Sequence, residues 1–235
     1  MRQIILDTET TGLSASEGDR IIEIGCIELK SRRMTKSNFH TYINPERDSH
    51  PDALAVHGLT TAFLSDKPKF ADIAASFCDY IRDAELIIHN ASFDLGFLNA
   101  ELKRLNLPRI EELAKSVTDT LAMARETFPG KRNSLDALCE RYEIDNTHRD
   151  LHGALIDAAL LADVYLIMTR GQDSLGIELA SERDEIDRND PANAIPMQIM
   201  VRKATSQEIA EHEAYLDDVG KKSKETVVWR RQNLS

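Results

Sequence analysis

The stretch QIILDTETTG, residues 3–12, places two acidic side chains directly after a short apolar run. Gln3 to Leu6 is compact and apolar, which is typical of a buried β-strand. Asp7 and Glu9 are two residues apart, so in an extended segment their side chains point to the same side. Two carboxylates on one side of a buried strand repel each other unless a cation is bound. The alternative interpretation of an isolated Asp-x-Glu is a surface turn.

Two further strands are predicted close behind the first. Arg20 to Leu29 is apolar and β-branched around Gly25, and Phe39 to Ile43 is a third such segment, closed by Asn44-Pro45. Three strands at this close spacing indicate an antiparallel meander.

After residue 50 the apolar pattern becomes helical. Helices are predicted at Pro51–Val56, Phe70–Ile81, Phe93–Leu105, Leu121–Phe128 and Asn133–Tyr142, and strands at Glu85–Ile88 and Val117–Asp119. Ala154 to Met168 is apolar almost all the way round, which predicts a buried central helix. Early strands followed by helix–strand alternation indicate an α/β domain with a mixed central sheet flanked by helices. This domain is predicted to span residues 1–171.

The composition changes after this domain. Residues 172–204 are predicted to form a flexible linker, because Ser181 to Pro196 is polar, acidic and free of aromatic side chains. Residues 205–235 form a separate C-terminal segment. It opens at Thr205-Ser206-Gln207-Glu208, the pattern of a capping box, with a short helix predicted to about Val219.

The net charge of the chain argues against one class of nucleic-acid-binding protein. The chain carries 29 Lys and Arg residues against 40 Asp and Glu, a formal net charge of −11 at pH 7. A protein that grips nucleic acid by a broad basic surface needs the opposite balance, because such binding neutralises phosphates. An enzyme that holds a few nucleotides in a metal-filled pocket remains compatible, since the cations supply the positive charge.

Cysteines and apolar runs exclude several classes of protein. Cys26, Cys78 and Cys139 are far apart and odd in number, so they indicate neither a disulfide framework nor a zinc site. No apolar run approaches the roughly 18–20 residues of a membrane helix, and no signal peptide is visible. A cytoplasmic location without membrane attachment is therefore predicted.

Two residues near the start of the predicted central helix are candidates for a catalytic or metal-binding role. Asp157 interrupts an apolar helix, and a buried carboxylate is tolerated when it is paired or bound to metal. His152 can act beside it as a general base more easily if it precedes the helix, and Gly153 makes that break plausible. The alternative interpretation of Asp157 is an aspartate on a solvated stripe of the helix, which is the interpretation favoured for Asp163. The alternative interpretation of His152 is an exposed loop histidine.

Asp94 lies near the junction between a predicted strand and a predicted helix. The alternative interpretation, without a functional role, is an aspartate at a helix start that stabilises the helix macrodipole. In combination, four carboxylates beside buried elements can hold two divalent ions about 3.5–4 Å apart. Oxygen ligands favour Mg²⁺ or Mn²⁺ over zinc, and such a pair suits phosphodiester hydrolysis.

Three segments together resemble the motifs of the DEDDh family of 3′→5′ exonucleases. They are residues 7–12 (DTETTG), 89–94 (HNASFD) and 152–157 (HGALID), and their order and spacing match. Residues 129–138 (PGKRNSLDAL) also resemble the proofreading subunits of bacterial replicative polymerases. The resemblance extends from Ile4 to about Gly171 and implies an RNase H-like fold with two Mg²⁺ or Mn²⁺ ions.

The resemblance implies a role for each residue of the constellation. Asp7, Glu9 and Asp157 would bind metal directly, and Asp94 would complete the shell of the second metal, partly through water. His152 would take the proton from the attacking water, so that nucleoside 5′-monophosphates are released.

Substrate contacts are implied as well. Val56-His57-Gly58 resembles the segment that lines the terminal-nucleotide pocket, which makes His57 a predicted contact. Asp52 is a further candidate, with a helix-start acid as the equal alternative. The metal-binding carboxylates predicted to contact substrate too are Asp7, Glu9 and Asp157.

The tail suggests protein partners by the same resemblance. Gln172-Asp173-Ser174-Leu175-Gly176-Ile177 resembles a segment that binds the sliding clamp, although Ile177 stands where an aromatic residue is more usual. The final helix and Trp229, the only tryptophan, would bind the polymerase catalytic subunit. A small accessory subunit is found in some relatives and is a further predicted partner.

Three functions are compatible with these features. The leading one is a proofreading exonuclease that removes mispaired 3′ nucleotides from DNA as a polymerase subunit. The second keeps the chemistry but trims RNA 3′ ends, and the third is a non-catalytic bridge between polymerase and clamp. The linker and the Trp-bearing tail favour the first over the second. The clustered carboxylates speak against the third.

Overall fold

The structure, a computed structural model, describes residues 2–146, 151–170 and 204–223. In this part of the chain the strands are β1 (Arg2–Thr10), β2 (Ile21–Lys30), β3 (Arg33–Met34), β4 (Phe39–Tyr42), β5 (Glu85–Ile88) and β6 (Ser116–Asp119). The helices are α1 (Pro51–His57), α2 (Thr61–Leu64), α3 (Phe70–Ile81), α4 (Ala91–Arg104), α5 (Ile110–Leu113), α6 (Thr120–Thr127), α7 (Leu135–Arg141), α8 (Ala154–Met168) and α9 (Ser206–Ser223). A 3₁₀ turn spans Ala15–Glu17.

The strands form one mixed sheet, as predicted. The order along the sheet is β3-β2-β1-β5-β6, and β4 also pairs with β2. β1 runs antiparallel to β2 and parallel to β5, and β5 runs parallel to β6. The predicted antiparallel meander is confirmed, because β2 pairs antiparallel with both β1 and β4. The carboxyl ends of β1, β5 and β6 therefore meet at one edge of the sheet.

The two faces of β1 bury different cores, as the alternation of side chains requires. Ile4 and Leu6 pack in a cluster with residues of α3 and α4, whereas Ile5 packs with residues of α8. Helix α8 is nearly uniformly apolar and its buried side chains occupy two clusters, one against the sheet and one against α6 and α7. This confirms the predicted buried central helix.

Several predicted boundaries need correction. Helix α7 begins at Leu135, two residues after the predicted start at Asn133, and its N-cap is Ser134, whose hydroxyl accepts a hydrogen bond from the Ala137 amide. Asn133 instead uses its side chain to bind the Phe128 carbonyl and the Arg141 guanidinium. The short helices α2 and α5 were not predicted, since four residues are too few to show a period.

Helix α9 opens as predicted and extends further. The Thr205 amide donates to the Glu208 carboxylate and the Glu208 amide donates to the Thr205 hydroxyl, which is the predicted capping box. The helix runs to Ser223, four residues beyond Val219. The chain divides into two units, Met1–Gly176 and Ile177–Ser235. The domain boundary at residue 171 and the linker at 172–204 stay predictions.

A membrane span is not found in the described part of the chain, because none of its helices combines the required length and apolarity. The three cysteines are buried and form no disulfide.

The backbones of β2 and of the first turn of α8 approach each other closely at Gly25. A Cβ atom added to Gly25 would lie 2.2 Å from the carbonyl carbon of Ala154 and from the amide nitrogen of Leu155. Both are backbone atoms, so no side chain can rotate away. Gly25 also faces Asp7 in the β1–β2 register. The glycine therefore sets how closely α8 approaches the acidic end of β1.

We predict that Gly25→Ala lowers the free energy of unfolding by about 2 kcal/mol or more, because the methyl group overpacks this contact. Gly96→Ala is the matched control: the site is helical and open, with nothing within 4 Å of the added Cβ. Removing a helical glycine should raise stability by about 0.5–1 kcal/mol. Urea denaturation measures both. Equal midpoints for Gly25→Ala and the wild type would contradict the close approach.

Candidate active site

The acidic pair of the first motif lies at the end of β1. Asp7 and Glu9 share the face of the sheet that packs against α8, and both are partly exposed. Thr8, between them, is buried and points to the opposite face. The two carboxylates therefore share a side, as the sequence predicted, and this side faces α8.

The first turn of α8 supplies a third carboxylate. Gly153 is the N-cap residue of this helix and has extended backbone, so His152 precedes the helix as predicted. The Asp157 amide donates to the Gly153 carbonyl at 2.9 Å, which places Asp157 in the first turn. Asp157 is buried, whereas Asp163 further along is exposed. The His152 amide donates to the Val56 carbonyl at 3.1 Å and ties the loop before α8 to α1.

Glu9, His152 and Asp157 converge although they are far apart in sequence. One ligand atom from each lies within 4.8 Å of the other two. His152 Nδ1 lies 3.3 Å from a carboxylate oxygen of Asp157. Two carboxylates and an imidazole at this spacing can hold a divalent ion, and the oxygen-rich donor set suits a hard cation. Asp7 lies on the same face two residues earlier.

Asp94 occupies a different position from the other four. It lies in the first turn of α4, is 3% exposed, and accepts a hydrogen bond of 2.7 Å from the Thr8 hydroxyl. Because α4 packs on the face of the sheet that holds Ile4 and Leu6, Asp94 approaches β1 from the side opposite Asp7 and Glu9. The structure thus groups three of the five predicted residues and places Asp94 behind the strand.

Burial dominates the electrostatics of Asp94. Desolvation raises its pKa to about 7, against the opposing effect of the Thr8 hydrogen bond, and the nearby Asp119 carboxylate adds to the increase. A carboxyl group that is costly to ionise in the free protein gains most from a neighbouring cation.

A cavity of about 420 Å³ opens beside this cluster, on the β2 side of β1. It is lined by Glu23, His40, Tyr42, His57, Leu59, Leu151, His152, Gly153, Leu155 and Ile156. His57 is 3% exposed, and its Nδ1 accepts from the Leu59 amide at 2.9 Å. In the neutral ring the proton therefore resides on Nε2, which has no hydrogen-bond partner among the described residues. Burial lowers the pKa of His57 and favours this neutral form.

Sequence reasoning missed three polar residues of this cavity: Glu23, His40 and Tyr42. Glu23 is 3% exposed and lies directly across from Glu9 in the β1–β2 register. Its carboxylate pairs with His40 Nε2 at 2.7 Å. The signal was present, because Glu23 interrupts the apolar run of β2 in the way that Asp157 interrupts α8.

The remaining predicted residues are not brought to this cavity. Asp52 is exposed in the first turn of α1 and does not line it. Its position fits the helix-start alternative, and its role as a substrate contact stays a prediction. The segment Gln172–Ile177 and Trp229 lie outside the described residues.

Comparison with known proteins supplies the family. A family model described as "Exonuclease" matches residues 4–165. DNA polymerase III subunit epsilon of Escherichia coli (strain K12) is 51% identical, with 97% of each chain covered. The same subunit of Rickettsia felis is 47% identical, covering 93% of this chain and 97% of its own.

Solved structures agree in fold. Exonuclease X in complex with 5′ overhanging duplex DNA is 26% identical with a TM-score of 0.57, covering 72% of this chain and 92% of its own. The nuclease domain of 3′hExo, a DEDDh family member bound to rAMP, is 18% identical with a TM-score of 0.62, covering 72% and 92%. The predicted RNase H-like fold is confirmed. With this fold, the acidic cluster and the full-length similarity, the chain belongs to the exonuclease family and, within it, to the DNA polymerase III epsilon subunits.

Proposed function

We propose that the chain is a 3′→5′ exonuclease that removes mispaired 3′-terminal nucleotides from DNA as the proofreading subunit of DNA polymerase III. The observation that carries the proposal is the convergence of Glu9, His152 and Asp157 at the end of β1. The match of relatives over nearly the whole chain, tail included, favours the polymerase subunit over a free-standing ribonuclease. A mismatched terminus costs less to unpair, which would contribute to selectivity.

Membership of this family implies divalent metal ions. We propose two, Mg²⁺ or Mn²⁺, with Asp7, Glu9 and Asp157 as direct ligands and Asp94 completing the shell of the second metal, partly through water. When bound, the ions activate a water molecule and stabilise the leaving 3′ oxygen. The half-exposed acids of β1 and the buried acid of α8 provide negative charge from two elements, which suits a cation between them.

His152 is proposed to take the proton from the attacking water. Its side chain is 42% exposed, so it can reach both solvent and the carboxylates, and its position before the helix frees it from the helix geometry. His57 is proposed to contact the terminal nucleotide through Nε2. The products would be nucleoside 5′-monophosphates.

Protein partners are proposed from the sequence of the tail. Residues 205–235 would bind the polymerase catalytic subunit, and residues 172–177 would bind the sliding clamp. A small accessory subunit would bind the exonuclease domain, residues 1–171. The cytoplasmic location also stays a prediction.

We predict that the protein releases nucleotides from a 3′-labelled DNA strand with Mg²⁺ and not with chelator, and faster from a mispaired end. Asp7→Ala should abolish release without unfolding the chain, because it removes a shared ligand. Asp163→Ala, exposed on α8, is the control and should act like the wild type. Matched RNA runs in parallel: a preference for RNA would move the protein to the exoribonucleases, and no hydrolysis at all would support the bridging role.

We predict that His152→Ala lowers kcat by about 10²–10⁴-fold, because a general base is lost. KM and Mn²⁺ affinity should change far less, since the metal carboxylates remain. His212→Ala on α9, an exposed histidine, serves as control. Steady-state kinetics with calorimetric Mn²⁺ titration separates the two effects. A matching loss of metal affinity would make His152 a structural residue.

We predict that Asp94→Asn stabilises the metal-free protein at alkaline pH. The pKa of Asp94 rises from 3.8 unfolded to about 7 folded, so the folded state binds the proton more tightly. The favourable contribution is present below about pH 4 and is lost as pH rises through 7. With chelator at pH 8 the variant should melt a few degrees above the wild type, and the gap should close at pH 4. Added Mg²⁺ should stabilise the wild type more than the variant. A pH-independent gap would refute the assignment.

A further inference from the structure

The loop between α6 and α7 presents two adjacent cations on a braced backbone. We call residues 129–132 (PGKR) the basic loop. The Arg141 guanidinium donates to the Arg132 carbonyl at 2.8 Å and to the Asn133 side chain at 3.2 Å. It also stacks 4.4 Å over the Phe128 ring. These contacts use the Arg132 backbone and leave the side chains of Lys131 and Arg132 exposed.

The basic loop lies at the sheet edge that carries the acidic cluster. His89 directly follows β5, and its Nδ1 lies 3.0 Å from the Thr120 hydroxyl at the start of α6. The Thr120 hydroxyl in turn donates to the Ile88 carbonyl. Burial lowers the pKa of His89, and the backbone of Asn133, next to the loop, is close enough to the ring to oppose that decrease. The loop is thereby tied to the carboxyl ends of β5 and β6.

Within the part of the chain that the structure describes, the cations of this region form no ion pairs with their neighbours. Lys131, Arg132 and the nearby Arg125 are exposed, and among the described residues none of them forms an ion pair with a carboxylate. By contrast, the exposed Lys69 and Arg82 pair with acids. In a chain of net charge −11, free cations at the edge of an acidic site are the groups available to a polyanion.

The strand order gives a direction to the substrate. The cavity containing His57 lies on the β2 side of β1, whereas the basic loop lies on the β5–β6 side. Strands are about 4.8 Å apart, so the end of β6 lies roughly 10 Å from β1. A nucleic acid strand whose terminal nucleotide fills the cavity and whose scissile phosphate meets the carboxylates has its upstream part on the far side of β1 from the cavity, which is the side of β5 and β6.

On this basis, and resting on the proposed function, we propose that Lys131 and Arg132, with Arg125 beside them, bind the phosphates upstream of the scissile linkage. The contact is to the backbone and is independent of base sequence. It compensates for the acidity of the rest of the surface and guides a single strand across the sheet edge into the site.

The test compares two substrates in the full-length protein. One is a single-stranded oligothymidylate of twelve nucleotides, and the other is the p-nitrophenyl ester of thymidine 5′-phosphate, which has no upstream phosphate. Lys131→Ala/Arg132→Ala should raise KM for the oligonucleotide about tenfold at low salt and reduce its salt-dependence slope by about 1.4, for two lost phosphate contacts. Hydrolysis of the ester should remain at the wild-type rate. Arg33→Ala/Lys36→Ala, an exposed cation pair at and just after β3, is the control and should leave both substrates unaffected.

Each outcome decides the matter. An unchanged KM and salt slope for the oligonucleotide would overturn the proposal while the proposed function stands. An equal loss on ester and oligonucleotide would overturn it too, because the loop would then only support the site. If the wild type hydrolyses neither substrate, the proposed function itself fails and the phosphate role falls with it.

Discussion

The contact between the first turn of α8 and the backbone of β2 at Gly25 is the constraint on which the site depends. Any side chain at Gly25 would push α8 away from the sheet, and Asp157 would move with it. Asp7 faces Gly25 across the β1–β2 ladder, so the same contact sets the distance between carboxylates from opposite ends of the domain. A residue with no functional group thereby determines the geometry of the charged ones.

Around this contact the protein concentrates acids where their repulsion is greatest. Glu9 lies across from the buried Glu23, whose carboxylate contacts His40 Nε2. Asp94 is buried, accepts a hydrogen bond from the Thr8 hydroxyl, and lies near the Asp119 carboxylate. Such an arrangement costs stability in the absence of cations and prepares the site to bind them. Helix α4 contributes a buried carboxylate, Asp94, whereas α8 places the carboxylate of Asp157 beside Glu9 and His152.

Much of this arrangement could be predicted from the sequence, and the exceptions have physical reasons. The apolar pattern predicted the first and last residues of three elements correctly, namely α3 (Phe70–Ile81), β5 (Glu85–Ile88) and α8 (Ala154–Met168). It could not show that Asp94 approaches β1 from behind, because that depends on which face of the sheet α4 covers. Glu23 was overlooked because β2 carries two acids, Glu23 and Glu28, and only the cross-strand pairing with Glu9 shows which of them lies at the site. The start of α7 could not be predicted because the Asn133 side chain bonds the Phe128 carbonyl and the Arg141 guanidinium, and Ser134 is the N-cap residue.

The late position of α8 in the chain has a consequence for biosynthesis. Glu9 is made early, but its partners are made late: Asp157 lies in the first turn of α8, the last described helix of the first unit, and His152 lies just before that helix. A nascent chain that ends before α8 can assemble the sheet and still lacks the groups that complete the cluster. The cluster is therefore complete only once residue 157 has been synthesised, and a chain that ends before residue 152 lacks both the imidazole and the third carboxylate.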